Sequence, residues 1–251
     1  MRAMAISWIV FVLVFGSAIA AIYLHRLLPE HHVITDSKDV VKLAIALIAT
    51  MAALVLSLLI SSAKSSYDTR SNQVVQMSAE ILVLDRLLAH YGAEAADARN
   101  TLHQTVLEVA DRIWPEDGAH PAAADYNQIP VDELYDKVAT LQPADDAHRT
   151  LRSEAVPMVL EIGHTLVLLK ENMRTSIPLP FLGVLVFWLC IIFASFGLFA
   201  PRNATVIAVL GVCALSASCA IFLILELDRS FEGLLQVSGV PFRAMLAQLG
   251  R

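Results

Sequence analysis

The chain has 251 residues, 57% of them apolar and 17% charged, with a net charge of −6. A soluble domain carries roughly 25% charged residues, so this composition points away from a soluble enzyme. The negative balance also argues against a nucleic-acid surface. Four stretches, 3–25, 43–63, 175–201 and 203–225, contain no Asp, Glu, Lys or Arg. Each meets the roughly 20 residues needed to cross a bilayer as a helix. The expected fold is therefore an all-α integral membrane protein with four transmembrane helices.

The first stretch opens with Arg2 and contains the small residues of "GSAIAA", as a signal peptide would. Its apolar run continues through Ile22, Tyr23 and Leu24, longer than the about 7–15 residues of a signal core. It reads as an uncleaved first span. The loop after it holds His25, Glu30, His31 and His32. Imidazole and carboxylate together can bind a divalent metal or sense pH. The loop reads as solvated with no metal site, and either role stays open.

On the second span, Thr50, Ser57, Ser61 and Lys64 follow steps of seven, four and three. They form one weakly polar stripe ending in a cation. Such a stripe can line a water-filled path. It can also let helices pack and hydrogen-bond across an interface, as Ala46 and Ala53 would help it do.

The polar region 64–174 reads as helical. Val74, Met77, Ile81, Leu84 and Leu88 recur at three- and four-residue steps, and Leu102, Val106, Val109 and Ile113 repeat the pattern. "IWPEDGAHPAAADYNQIP" interrupts it with Pro and Gly. A short helix is expected over 131–141. A last one is expected through Leu151, Ala155, Val159, Ile162, Leu166 and Leu169, kinked at Pro157. The first and last of these helices are expected to continue the second and third spans.

The third and fourth spans carry small residues four apart, at Cys190–Ala194, Ala214–Ser218 and Cys213–Ala217, and at Gly211 before Leu215. They read as packing elements. The three cysteines, Cys190, Cys213 and Cys219, all lie in apolar spans and imply no disulfide. The tail beyond Pro241 suggests a short amphipathic helix through Phe242, Met245, Leu246 and Leu249.

An even number of spans puts both termini and the polar region on one side. Arg2, Lys64, Arg70, Lys170, Arg174, Arg229 and Arg243 flank the spans there, against Arg26, Lys38, Lys42 and Arg202 opposite. The positive-inside rule makes the richer side cytoplasmic. The expected division is a first transmembrane hairpin over 1–63 and a helical cytoplasmic region over 64–174. A second hairpin over 175–226 and a cytoplasmic tail over 227–251 complete it.

The fourth span ends directly in Glu226, Asp228 and Arg229, and the second ends in Lys64, Tyr67, Asp68 and Arg70. Ionic groups at that depth are costly when unpaired. The two exits are expected to meet, Asp228 or Glu226 with Arg70 or Lys64 and Asp68 with Arg229. A solvated belt without specific pairs is the alternative.

"SSYDTRSNQVVQMSAEILVLDRLL" after a span resembles the Tyr-Asp-Arg segment of prokaryotic bestrophins. "LELDRSFEGLLQVSGVPF" is similar to their acidic segment after the fourth span, and with "RIWP" between, the chain resembles the bestrophin-like family of bacterial membrane proteins. It departs from that pattern at Ser230, where the family usually has Pro, and it lacks the aromatic residues that follow Tyr-Asp-Arg in true bestrophins. The resemblance implies a homo-oligomeric anion channel in the bacterial inner membrane, pentameric in bestrophins, with the second span lining the pore. It makes Val55, Leu58 and Leu59 the counterparts of an apolar neck. Calcium control is not expected, because "ELDRSFEG" is less acidic than the clasp of animal bestrophins.

No nucleophile elbow, phosphate-binding Gly-rich loop or His-Glu-x-x-His motif occurs. Glu161 and His164 give a single Glu-x-x-His, where a di-metal bundle needs two. No catalysis and no cofactor are expected. The expected partners are copies of the chain, the lipid bilayer and permeant ions. The competing reading is a non-conducting membrane sensor or scaffold whose cytoplasmic helices bind another protein.

Overall fold

The computed structural model describes residues 2–24, 35–114, 131–172, 179–199, 203–229 and 235–249. The loop with His25, Glu30, His31 and His32 lies outside them, as do Ser230 and Phe231. The helices are α1 (Arg2–Leu24), α2 (Thr35–Tyr91), α3 (Ala96–Ile113), α4 (Val131–Ala139), α5 (Asp146–Asn172), α6 (Leu179–Phe199), α7 (Ala204–Asp228) and α8 (Val240–Leu246). No strand occurs among the described residues. The chain forms two compact units, one of Met1–Ser66 with Thr175–Asp228 and one of Tyr67–Arg174 with Arg229–Arg251. Four helices, α1, α2, α6 and α7, are long and apolar enough to cross a membrane.

The helix α2 has 57 residues, about 85 Å at 1.5 Å per residue. Nothing between 35 and 91 is glycine or proline, so no residue there breaks the hydrogen-bond ladder. It stops where Gly92 takes a φ of 100°, a conformation that glycine adopts without a Cβ penalty. The expectation that the second span runs on into the polar region is met by this single helix.

In the first unit α1 packs against both α6 and α7. Val14, Ala18, Leu185, Ala214 and Ile221 are fully buried there. The backbones come close at Gly197 of α6, where an added Cβ would stand 2.2 Å from the Ala18 carbonyl oxygen of α1. Hydroxyls stitch the same contacts. Ser17 donates to the Cys190 carbonyl at 3.1 Å and Ser218 to the Ser7 carbonyl at 2.5 Å.

Of the small-residue pairs read from the sequence, Ala214–Ser218 packs inward. Cys213 and Leu215 face out of the bundle, Ala217 is partly buried, and Cys219 is also exposed. The four-residue spacing identifies a stripe but not its direction.

The second unit has its own core. Val74, Met77, Ile81, Leu84 and Leu88 of α2 meet Leu102, Val106, Val109 and Ile113 of α3, with Val159, Ile162 and Leu169 of α5. Both helical stripes anticipated from the sequence are thus buried faces. The Pro157 expected to kink α5 lies inside a helix that continues from Asp146 to Asn172. The tail helix expected after Pro241 is α8, and Phe242 and Met245 on it are buried.

Candidate functional site

The span part of α2 is the least covered of the four. Of its most apolar 18 residues, 11% are buried, against 33%, 28% and 28% for α1, α6 and α7. Its packed side is the stripe Ala52, Leu59 and Ala63, with Ile45, Ile48, Ala49, Val55 and Leu56 at its edges. The opposite side stands open. Thr50, Ser57, Ser61 and Lys64 are all exposed there, with Leu47, Leu54 and Leu58 at 62%, 71% and 64% exposure. The polar stripe read from the sequence is therefore on one face, and it is the face the protomer leaves uncovered.

Thr50 Oγ1 donates to the Leu47 carbonyl at 2.7 Å, which satisfies the hydroxyl within its own helix. Of the three residues expected to form an apolar neck, Leu58 shares the open face. Leu59 is 6% exposed and Val55 is partly buried, both against the protomer's own bundle. The difference follows from helical phase. Residues 55 and 59 are one turn apart and in register with Ala52 and Ala63, whereas 58 follows 54 and 61.

The exit residues divide by burial. Arg70, Glu226 and Asp228 are 2%, 5% and 3% exposed, Tyr67 and Arg229 are partly buried, and Asp68 and Lys64 are exposed. Charged groups this deep are held by partners rather than left bare, and Lys64, Asp68, Arg70, Glu226 and Asp228 each engage another group. Tyr67 lies within hydrogen-bond reach of the Gln236 carbonyl, at 3.4 Å.

The polar part of α2 is braced by groups the sequence reading passed over. Asp85 has a 3% exposed side chain. Arg99 of α3 grips it with two hydrogen bonds, Nε to Oδ1 at 2.6 Å and Nη2 to Oδ2 at 2.8 Å. This two-pronged geometry is the strong form of an Arg–carboxylate pair. The bond to Asp85 holds the Arg99 guanidinium even more firmly in its charged form. His103 Nε2 lies 3.6 Å from the same carboxylate.

In the same unit, Lys137 of α4 donates to Thr101 Oγ1 at 2.8 Å and pairs with Glu133 and Asp97 at 3.0 and 3.1 Å. The hydrogen bonds it donates to Glu133 and then Asp97 raise its pKa. A sequence signal existed for Asp85. It lies four residues after Ile81 and three before Leu88, in phase with the buried stripe.

The tail closes the second unit. Trp114 Nε1 donates to the Val237 carbonyl at 3.1 Å, and its ring lies 5.4 Å from that of Phe242. Gly239 packs so near that an added Cβ would meet the Trp114 ring at 3.1 Å. Among the described residues, no group of His, Cys, Asp and Glu side chains is arranged to hold a metal ion.

A Bestrophin-like domain matches residues 10–242. The fold is similar to that of a bacterial bestrophin homologue from Klebsiella pneumoniae, at 16% identity and a TM-score of 0.67, over 96% of this chain and 94% of that one. A variant of that homologue gives a TM-score of 0.69 at 16% identity, over 99% of this chain and 96% of that one. A structure described as a membrane protein gives 0.70 at 14% identity, over 98% and 99%. No curated protein matches. The four membrane-length helices, the open-faced α2 and the family match over most of the chain lead to one conclusion: this membrane protein belongs to the Bestrophin-like family.

Proposed function

We propose that copies of the chain assemble around a passive ion pathway lined by the open face of α2, with anions as the preferred ions. The observation that carries this reading is the low coverage of α2, 11% of its most apolar stretch, combined with hydroxyls and Lys64 on the uncovered side. A helix buried on one narrow stripe needs something on the other side. Hydroxyls can replace part of an ion's hydration, and a ring of Lys64 ammonium groups raises the local anion concentration. Family membership supports the same reading. The pathway side is Thr50, Ser57, Leu58, Ser61 and Lys64, with Leu58 as the apolar narrowing. The setting is a bacterial inner membrane, with the helical region and both ends in the cytoplasm, and the assembly is a ring such as a pentamer.

Flux from chloride-loaded liposomes tests this. Purified protein is expected to release chloride, and Lys64→Glu to shift the chloride-over-cation ratio downward by several-fold. Absence of flux of either sign across pH and voltage removes the reading. That outcome favours a scaffold, for which Leu160 and Val167 of α5, at 55% and 63% exposure, offer an apolar contact surface. The pairing expected of the exit charges has its own test. Reversing Arg70 and Asp228 together should restore assembly lost in each single reversal.

A further inference from the structure

Within the second unit, α2 and α5 run side by side in opposite directions. The last residue of α2, Tyr91, packs edge-to-face on the ring of His148 in the first turn of α5, with centroids 4.9 Å apart. From that contact both helices lay a buried stripe into one core, and the stripes keep step. Leu84 lies seven residues from the contact along α2, and Ala155 seven along α5. Met77 and Ile162 each lie fourteen away. Both helices rise by about 1.5 Å per residue, so these pairs are level with one another.

The same count levels the outer faces. Val75 and Val83 of α2 are exposed large apolar residues, and the exposed Ala79 sits between them, one turn from each. Two ridges therefore flank a gap. On α5, Leu160 is exposed at the level of that gap, twelve residues from the contact as Ala79 is. Apolar residues in line on a helix whose other face is already buried mark a contact surface. The charges complement each other as well. Arg86 on α2 and Glu154 on α5 are both exposed, at levels one residue apart.

We propose that the outer face of α2 in one copy receives the outer face of α5 from the next copy. Leu160 seats in the gap at Ala79 between Val75 and Val83, and Glu154 faces Arg86. This interface rests on the ring of copies proposed above. A pathway lined by α2 requires a rotation axis that runs along that helix. Rotation about such an axis leaves every residue at its own height, so neighbours join residues that are level within one protomer. Contact between two different faces is heterologous, and it closes into a ring where a self-complementary patch stops at a pair.

Disulfide cross-linking of the full chain in membranes tests this. Ala79→Cys with Leu160→Cys brings two thiols to one level, and a disulfide needs Cα atoms within about 7 Å. Mild oxidation is expected to give a covalent ladder that passes the dimer. Wild type and each single variant should lack it, and they report the background from Cys190, Cys213 and Cys219. Val83→Cys with Val167→Cys is the off-level control. Its thiols stand eleven residues apart in level, about 16 Å, and should stay at background. Added to the cross-linking pair, Arg86→Glu or Glu154→Arg should cut the ladder several-fold, and both together should restore it.

A ladder that stops at the dimer overturns the interface, as does cross-linking of the off-level pair or no recovery in the double charge exchange. No ladder at all also overturns it and leaves the α5 face to a different protein. Chloride release from the same preparations separates this from conduction. A ladder without flux upholds the interface and removes the ion pathway. Flux without a ladder upholds the pathway and removes the interface.

Discussion

Replacing Gly197 with alanine probes how closely α1 and α6 cross. The new methyl carbon would stand 2.2 Å from the Ala18 carbonyl oxygen, 3.0 Å from its carbon and 3.2 Å from its Cα. Carbon–oxygen contacts normally settle at about 3.3–3.6 Å, so the backbones must part by about 1 Å. The obstacle is the main chain of Ala18, which is fully buried, and no rotamer change relieves it. A gap of that size forfeits about a quarter to a half of each dispersion contact it opens. Overpacking of this kind costs about 1–3 kcal/mol, and a clash with backbone belongs at the upper end. Better helix propensity returns about 1 kcal/mol, leaving a net loss of about 2 kcal/mol.

Gly16→Ala and Gly183→Ala are the controls, because an added Cβ there meets nothing within 4 Å. They keep the propensity gain and lack the clash. Reversible unfolding in mixed micelles should place Gly197→Ala about 3 kcal/mol below them. A Gly197→Ala chain as stable as either control would refute the close crossing.

Asp85→Ala leaves the Arg99 guanidinium without its two-pronged acceptor, and denaturant unfolding should show a loss of about 2–3 kcal/mol. Trp114→Phe removes the donor to the Val237 carbonyl. It should cost about 1 kcal/mol and raise hydrogen exchange across 235–249 before the rest of the helical body. Ser218→Ala deletes the hydrogen bond to Ser7. Its unfolding free energy should fall by about 0.6 kcal/mol, the usual worth of such a bond between membrane helices.

The spans and body helices were readable because each depends on a pattern within one segment. Charge-free runs marked α1, α6 and α7, and the Val74–Leu88 stripe marked a buried face of α2. That stripe, following directly on the charge-free run 43–63, also gave the expectation that the second span continues into the body. What stayed hidden depends on direction or on distant partners. The sequence put Val55, Leu58 and Leu59 together as neck residues, yet the protomer turns Leu58 outward and packs Leu59. Which side of an apolar helix faces its neighbours is set by tertiary contacts, and periodicity is weak when nearly every residue is apolar. The Asp85–Arg99 brace joins residues 14 apart across the turn at Gly92, and no local spacing rule encodes that. Gly197 looked like any small residue until the Ala18 carbonyl was found against it.

The outward cysteines carry a practical consequence. Cys213 and Cys219 point away from the bundle on α7, six residues apart, while Cys190 is half-covered on α6. Six helical residues turn the chain by about 600°, so the two thiols look out about 120° apart. They are native reporters of what surrounds α7. A thiol facing bulk lipid stays unreactive to water-borne maleimide yet is quenched by spin-labelled acyl chains. One pressed against a second copy escapes both and can cross-link under a mild oxidant. The natural chain thus offers two probes of its own surroundings, with no engineered cysteine required.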